Sequence, residues 1–442
     1  MKNRLIIIIL LLAVLSACKN VSDEKQQLNN VITTDITNFW NAYDQIIKTQ
    51  DSVLQYKCLD SLYFKKGTVG LEGIRQVRNY TARDYIDAIN SYPKFWNSIR
   101  KNTLEATNCG TQLQDGIEKL KTIYPQLQPA KIYFSIGAFR TPGTIIDSLV
   151  LIGSELAMAD ANTETSEFPE SLAHLKTYFS TNPFKNLVFL NVHEFVHTQQ
   201  KQSVYNLLSS AIYEGVAEFV TVKALNQPSP NPQIEFGKKN AKRIREVFED
   251  EMFYVANFGK WLNSNDTNEF GMRDLGYYVG YQICENYYNQ ADDKQAAIKT
   301  MIELDYENES EIEEFIKKSD YFSMPLEELE QNFESKRPTV IGIEQFENKS
   351  QNVNPKIKAI TIRFSEALDG YRTSVDLGEL GRDAFPKGTL NGRKWEKDNR
   401  SWTIPVELEP NKTYQIFITN NFRTPDNRPL KPYLIEFKTK DR

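Results

Sequence analysis

The hydrophobic repeat of this chain changes period for good near residue 338, and that change limits what it can fold into. From about Val31 to Lys336 apolar residues recur at three- and four-residue spacing, as in "ITNFWNAYDQII" and "TARDYIDAINSYPKFWNSIR". A helix returns a side chain to the same face every 3.6 residues, so this spacing predicts helices packed through one face. At about Pro338 the pattern becomes alternating and β-branched: "TVIGIEQF", "AITIRFS", "SWTIPVEL", "TYQIFIT" and "YLIEFKT", with Asn, Gly, Pro and Asp between. Period two places alternate residues on opposite sheet faces, which predicts an all-β sandwich of roughly a hundred residues. A chain of 442 residues exceeds one ordinary core, so the two patterns read as two domains, 31–336 and 337–442.

The helical region has one interruption. "AKIYFSIGAF" and "DSLVLIGSEL" are short β-rich runs separated by "RTPGTII", where Pro142-Gly143 signals a turn. They predict a small sheet beside the helix that follows, making this domain mainly α but α+β in class.

The N-terminus, "MKNRLIIIILLLAVLSAC", has Lys2 and Arg4, then an apolar run from Leu5 to Leu15, then small residues ending at Cys18. That order describes a secretory signal, 1–17, and the run is short for a membrane span. Leu15-Ser16-Ala17-Cys18 resembles the bacterial lipobox, which implies a lipidated Cys18, a polar tether over 18–30 and a membrane-anchored protein of the cell envelope. The expected place is the outer membrane, facing periplasm or exterior. Cys58, Cys109 and Cys284 remain, without a CxxC pair, so a cysteine zinc site is excluded. Export permits a Cys58–Cys109 disulfide, with three free thiols as the alternative. A net charge of −5 and the lack of a long Lys/Arg run argue against nucleic acid.

The chemistry concentrates in "NVHEFVHTQQ", which holds two of the three histidines. Residues 184–203 fit a helix, with Pro183 suited to its first turn. On it His193 and His197 project from one face, one turn apart, and can reach one tetrahedral zinc. Glu194 is rotated away from them, in the position of a base for water on the metal. Downstream, "SVYNLLSSAIYEGVAEFVTVKAL" puts Glu214 and Glu218 on one stripe of a second helix, where two acids facing a core need a partner or a metal. The alternative is a solvated acidic stripe. Gly215 would let this helix approach the histidine helix closely. His174 lacks ligand spacing with the other two and reads as a surface residue.

"HEFVH" followed by "EGVAEF" resembles the gluzincin metallopeptidases, and most closely the predicted zinc-protease lipoproteins of Bacteroidota-like bacteria. The resemblance implies a zincin-like fold, a Zn2+ cofactor, Glu214 as third metal ligand and Glu218 as the carboxylate that orients a histidine. Spacing from His197 does not itself choose between the two glutamates. "RDLGYYVGYQICENYY" resembles the later helix of these enzymes, which implies Tyr277, with Tyr278 as runner-up, as the group stabilising an oxyanion. The bland alternative is that Gly276 and Gly280 make a close helix contact and the tyrosines pack. By the same likeness, "DSLVLIGSEL" would be an edge strand that pairs with an extended substrate. "LEPNKTYQIFIT" resembles fibronectin-like and bacterial Ig-like modules, with Tyr414 as a corner tyrosine bonded back to the chain.

Two functions follow. In the first, a membrane-anchored zinc metallopeptidase cleaves a peptide or protein substrate with Glu194 as general base. In the second, a non-catalytic surface lipoprotein keeps a structural metal site, and its Ig-like module binds or spaces. Oligomeric state is not set by the sequence.

Overall fold

The computed structural model describes residues 30–202, 205–262 and 268–441. The signal segment, Cys18 and the tether before Asn30 lie outside the described residues. No helix among the described residues is long and apolar enough to cross a membrane. Backbone contacts divide the chain into two units: Met1–Phe248 with Val255–Ser323, and Glu249–Tyr254 with Met324–Arg442.

In the first unit β1 (Val31–Ile32), β2 (Lys131–Ser135), β3 (Gly143–Ile146) and β4 (Leu149–Gly153) form one sheet in the order β1-β2-β4-β3. β2 is parallel to both β1 and β4, whereas β3 runs antiparallel to β4. Ile132, Phe134, Val150, Leu151 and Ile152 are fully buried, as expected for strands covered on both faces.

Two expectations fail here. Pro142-Gly143 is not the turn: Gly143 opens β3, and the chain reverses at Asp147, whose φ is +49°. Aspartate tolerates that left-handed conformation, so Asp147-Ser148 closes the hairpin without glycine. "DSLVLIGSEL" is not an edge either. β4 is hydrogen-bonded on both sides, which leaves it no free edge for an extended peptide.

Around the sheet, helices bury an aromatic cluster that includes Phe39, Trp40, Tyr43, Phe95 and Trp96. Both indole N–H groups in it are partnered: Trp40 Nε1 donates to Thr103 Oγ1 at 3.0 Å and Trp96 Nε1 to the Ala88 carbonyl at 2.9 Å. The Tyr63 hydroxyl donates to the Ile136 carbonyl at 2.7 Å and accepts the Ile136 N–H at 2.9 Å, fixing the chain as it leaves β2.

Three helices build the site. The histidine helix, Leu187–His197, follows a 3-10 turn at Pro183–Asn186. It does not run on through Gln200 as expected, because the N–H groups of Thr198, Gln199 and Gln200 turn back to the carbonyls three residues earlier. The glutamate helix, Leu207–Leu225, starts where the Asn206 side chain accepts the Ser209 N–H at 2.8 Å and stops at Asn226, in the left-handed region. The tyrosine helix spans Gly276–Gln290.

Gly215 does admit a close neighbour, but it is the tyrosine helix. A Cβ on Gly215 would lie 2.0 Å from the Gly280 carbonyl carbon, and one on Gly280 would lie 1.7 Å from the Ala211 carbonyl oxygen. One residue on from Glu214 is about 100° round the helix, so Gly215 cannot share the face that meets the histidines. Cys58, Cys109 and Cys284 are free thiols, so the Cys58–Cys109 pairing is not made. Cys109 Sγ instead lies 3.4 Å from the Glu105 carbonyl oxygen.

The second unit contains two antiparallel sheets. One has the order β5-β6-β9-β8, from Val340–Ile343, Ala359–Phe364, Ser401–Pro405 and Lys394–Trp395. The other is β11-β10-β7, from Tyr433–Lys438, Thr413–Ile418 and Val375–Asp376. Ile360, Ile362, Phe364, Trp402 and Ile404 of the first share one core with Tyr414, Ile416, Ile418, Ile435 and Phe437 of the second. The Tyr414 hydroxyl accepts the Glu409 N–H at 2.7 Å, the link back to the chain expected of a corner tyrosine. Leu326–Lys336, the last helix of the period-3.6 region, groups with this unit.

Candidate metal centre

One turn of helix separates His193 from His197, and their rings converge. Nε2 of one lies 3.1 Å from Nε2 of the other. Glu214, from the glutamate helix, brings Oε2 to 3.2 Å from His197 Nε2 and 3.4 Å from His193 Nε2. Both histidines are buried, 6% and 5% exposed, and the three residues form a group able to hold a metal ion.

Each imidazole has a polar group beside its outer nitrogen. His193 Nδ1 lies 3.2 Å from Oε2 of Glu218, whose side chain is fully buried. Glu218 also accepts from Ser229 Oγ, and from Asn231 Nδ2 at 2.9 Å. His197 Nδ1 lies 2.7 Å from Gln200 Oε1, and Gln200 Nε2 lies 3.1 Å from the Tyr213 carbonyl oxygen and 3.4 Å from the Tyr306 hydroxyl. Tyr213 stacks on His197 with centroids 4.4 Å apart, and Tyr277 stacks more loosely on His193 at 6.1 Å.

Of the two candidate tyrosines, then, Tyr277 faces the histidines. Tyr278 turns away and packs where a Cβ on Gly237 would come within 2.0 Å of its ring. Glu194 is buried and lies on the β3 side: a Cβ on Gly143 would come within 2.7 Å of its Oε1. His174 is half-buried in the helix Ala173–Ser180, apart from this group. Gln200, Tyr213, Tyr306, Ser229 and Asn231 escaped the sequence reading. Only Gln200 carried any signal, as the residue three past His197 and so its same-face neighbour on the helix expected there.

The electrostatics describe a positive charge wanted between carboxylates. Burial works to raise the Glu214 pKa, but the two imidazoles outweigh it and hold the carboxyl well below the usual range. Burial works against a charged His193, yet Glu214 and Glu218 raise its pKa to about 10. Burial pushes Glu194 up, against the pull of both histidines. Burial and then the Glu214 charge keep the Tyr277 phenol protonated.

Residues 19–323 match the family described as gliding motility protein GldB, a span that takes in all these residues. No curated protein matches the sequence at a significant level. Among solved structures, CopC from Methylosinus trichosporium OB3b is 14% identical over 24% of this chain and 96% of its own, with a TM-score of 0.20. The S-layer protein rSbsC(31-844) is 10% identical over 74% of this chain and 46% of its own, with a TM-score of 0.16. The chain thus spans under half of that S-layer protein, and at such scores neither likeness carries an argument.

The motility family overturns the resemblance to gluzincin zinc-protease lipoproteins, and with it the reading as a hydrolase and metalloprotease. The physical reason is that HExxH with a following Glu-Gly-x-Ala arranges ligand atoms and leaves substrate and reaction open. Glu194 as general base and Tyr277 as oxyanion donor lose the reaction they served. The lipoprotein reading of the N-terminus agrees with the family, and the chain, a cell-envelope lipoprotein, belongs to the family of gliding motility protein GldB.

Proposed function

We propose that this chain serves gliding motility as a non-catalytic envelope lipoprotein whose helical unit is fastened by a zinc ion on His193, His197 and Glu214. The observation that carries the metal is the triangle of 3.1, 3.2 and 3.4 Å between the two Nε2 atoms and Glu214 Oε2. Ligands about 2.0–2.1 Å from a tetrahedral zinc stand about 3.3 Å from one another. Charge supports the same reading. The Gln200 carbonyl only accepts, so His197 Nδ1 carries its hydrogen and the His197 Nε2 lone pair turns inward. Two imidazole nitrogens and a carboxylate oxygen that close need a positive charge among them, which a proton on His193 supplies without metal and a cation can replace. Two imidazoles with one carboxylate suit zinc among divalent ions.

Bound there, the ion would cross-link the histidine and glutamate helices, which is a structural role. We take the fold as a mainly helical zincin-like unit followed by an Ig-like sandwich. The small sheet beside the histidine helix and the shared two-sheet core support that assignment. The β unit then acts as a binding or spacer module towards a protein partner, and lipidated Cys18 anchors the chain in the outer membrane.

Elemental analysis of the mature chain tests the metal. About one zinc per chain is expected in the wild type and at least tenfold less in Glu214→Ala. A chain that takes up no zinc on reconstitution overturns the reading. In the bacterium that carries this protein, Glu194→Gln is expected to leave colony spreading intact. Loss of spreading with zinc still bound would overturn the non-catalytic role.

A further inference from the structure

We propose that Gln200 is a positioning residue for this centre, holding His197 in the one tautomer that leaves Nε2 free to bind a metal. The inference rests on the metal reading above and names the device that readies one ligand. The histidine helix ends at His197, and the tight turns after it carry Gln200 back beneath the ring, to 2.7 Å from Nδ1.

A carboxamide can face either way, so the direction must be argued from its other end. That end lies 3.1 Å from the Tyr213 carbonyl oxygen, which can only accept, and 3.4 Å from the Tyr306 hydroxyl. The NH2 must therefore sit there, and the oxygen must face His197. Turning the amide over would set oxygen against the Tyr213 carbonyl, and would place N–H against a hydrogen-bearing Nδ1. With its oxygen fixed, Gln200 demands a hydrogen on Nδ1, and the Nε2 lone pair is left pointing at His193 and Glu214. Tyr213 thus holds His197 twice, through its stacked ring and through the carbonyl that orients Gln200.

The two ligands differ in how they are held. Glu218 is a carboxylate with no wrong way round, and Ser229 and Asn231 fasten it. His197 depends on a neutral amide whose direction is set by the backbone of the glutamate helix and by Tyr306. Gln200 is therefore the more fragile of the two supports.

The test compares zinc affinity, by chelator competition, in the mature wild type, Gln200→Ala and Gln200→Met, together with imidazole 15N spectra of the metal-free chains. Both variants are expected to bind zinc about 10–100-fold more weakly, the usual loss when a ligand's outer partner is removed. The His197 Nδ1–H signal of the wild type should give way to a mixture of tautomers. Methionine keeps the side-chain volume, so it separates this effect from the collapse of a cavity left by alanine. A wild type that binds no zinc overturns the metal reading and this inference with it. A wild type that binds zinc, with the Met variant within about twofold of it and a single His197 tautomer, overturns the role of Gln200 alone.

Discussion

The helical unit buries Asp35, Glu155, His193, Glu194, His197 and Glu218, whereas the second unit buries five threonines, Gln415, Glu249 and the Asp369 carboxylate that pairs with Arg372. The β core is otherwise isoleucine, leucine, phenylalanine, tryptophan and valine, with the Tyr414 ring among them and its hydroxyl bonded to the backbone. Burying apolar surface stabilises a fold without regard to direction, and neighbouring side chains of similar size can substitute for one another. Burying charge costs free energy unless each group finds its partner, so it constrains geometry instead. One chain therefore uses two strategies. The stability of the first unit should answer more to metal and pH, and that of the second more to packing.

The largest contrast is expected at two glycines. Gly280→Ala would place a methyl 1.7 Å from the Ala211 carbonyl oxygen, at a contact of backbone on backbone that cannot yield cheaply. A loss of roughly 3 kcal/mol or more is expected, together with weaker zinc binding, because the same contact seats Glu214 and Tyr277 against the histidines. Gly342→Ala in β5 meets only the Arg363 guanidinium, at 3.5 Å, and should change stability by less than about 0.5 kcal/mol. Calorimetry of both variants with and without chelator reads the two units separately. Equal losses at both glycines would break the comparison.

A smaller effect is expected from Glu155, which lies outside the metal site. Its carboxylate is fully buried and accepts the N–H groups of Gly137 at 2.7 Å and Phe139 at 3.1 Å. Burial outweighs those bonds and raises its pKa from 4.5 to about 7. The neighbouring Tyr80, Tyr85 and Tyr63 phenols are themselves pushed up and stay neutral there. The folded state holds this proton more tightly than the unfolded chain. Its contribution is thus complete below about pH 4.5 and is lost as pH rises through about 7. The unfolding free energy from urea titration should fall across that window by on the order of 3 kcal/mol through this group, and the fall should be correspondingly smaller in Glu155→Gln. A second unit that shows the same slope would remove the distinction drawn here.

The legible parts of this molecule were those where residue spacing acts directly. A four-residue step from His193 to His197, and another from Glu214 to Glu218, already implies two faces that can meet. The period-two runs after Pro338 each fall on a strand or border one. Harder to read were features decided by partners distant in sequence. Gly215 was matched to the wrong helix because nothing local says which neighbour comes close. β3 was taken for a linker because Pro142-Gly143 looks like a turn unless Asp147 is known to make one. Gln200 depends on where a helix stops, and on a tyrosine more than a hundred residues away. The reaction was misread for a different reason. The motif is a statement about ligand geometry, and a motility protein can have a use for the same geometry.

The smallest expected effect tests the β unit on its own terms. Tyr414→Phe keeps the ring, which stacks on Phe437 with centroids 5.5 Å apart, and deletes the hydroxyl that accepts the Glu409 N–H. One hydrogen bond is lost and a partly buried N–H is left without it, so a cost of about 1 kcal/mol is expected. The loss should appear wholly in the transition that chelator does not move, with zinc affinity unchanged. If the metal-dependent transition fell as well, the two units would share stability, and the division between a charge-bearing core and an apolar one would not describe how this chain unfolds.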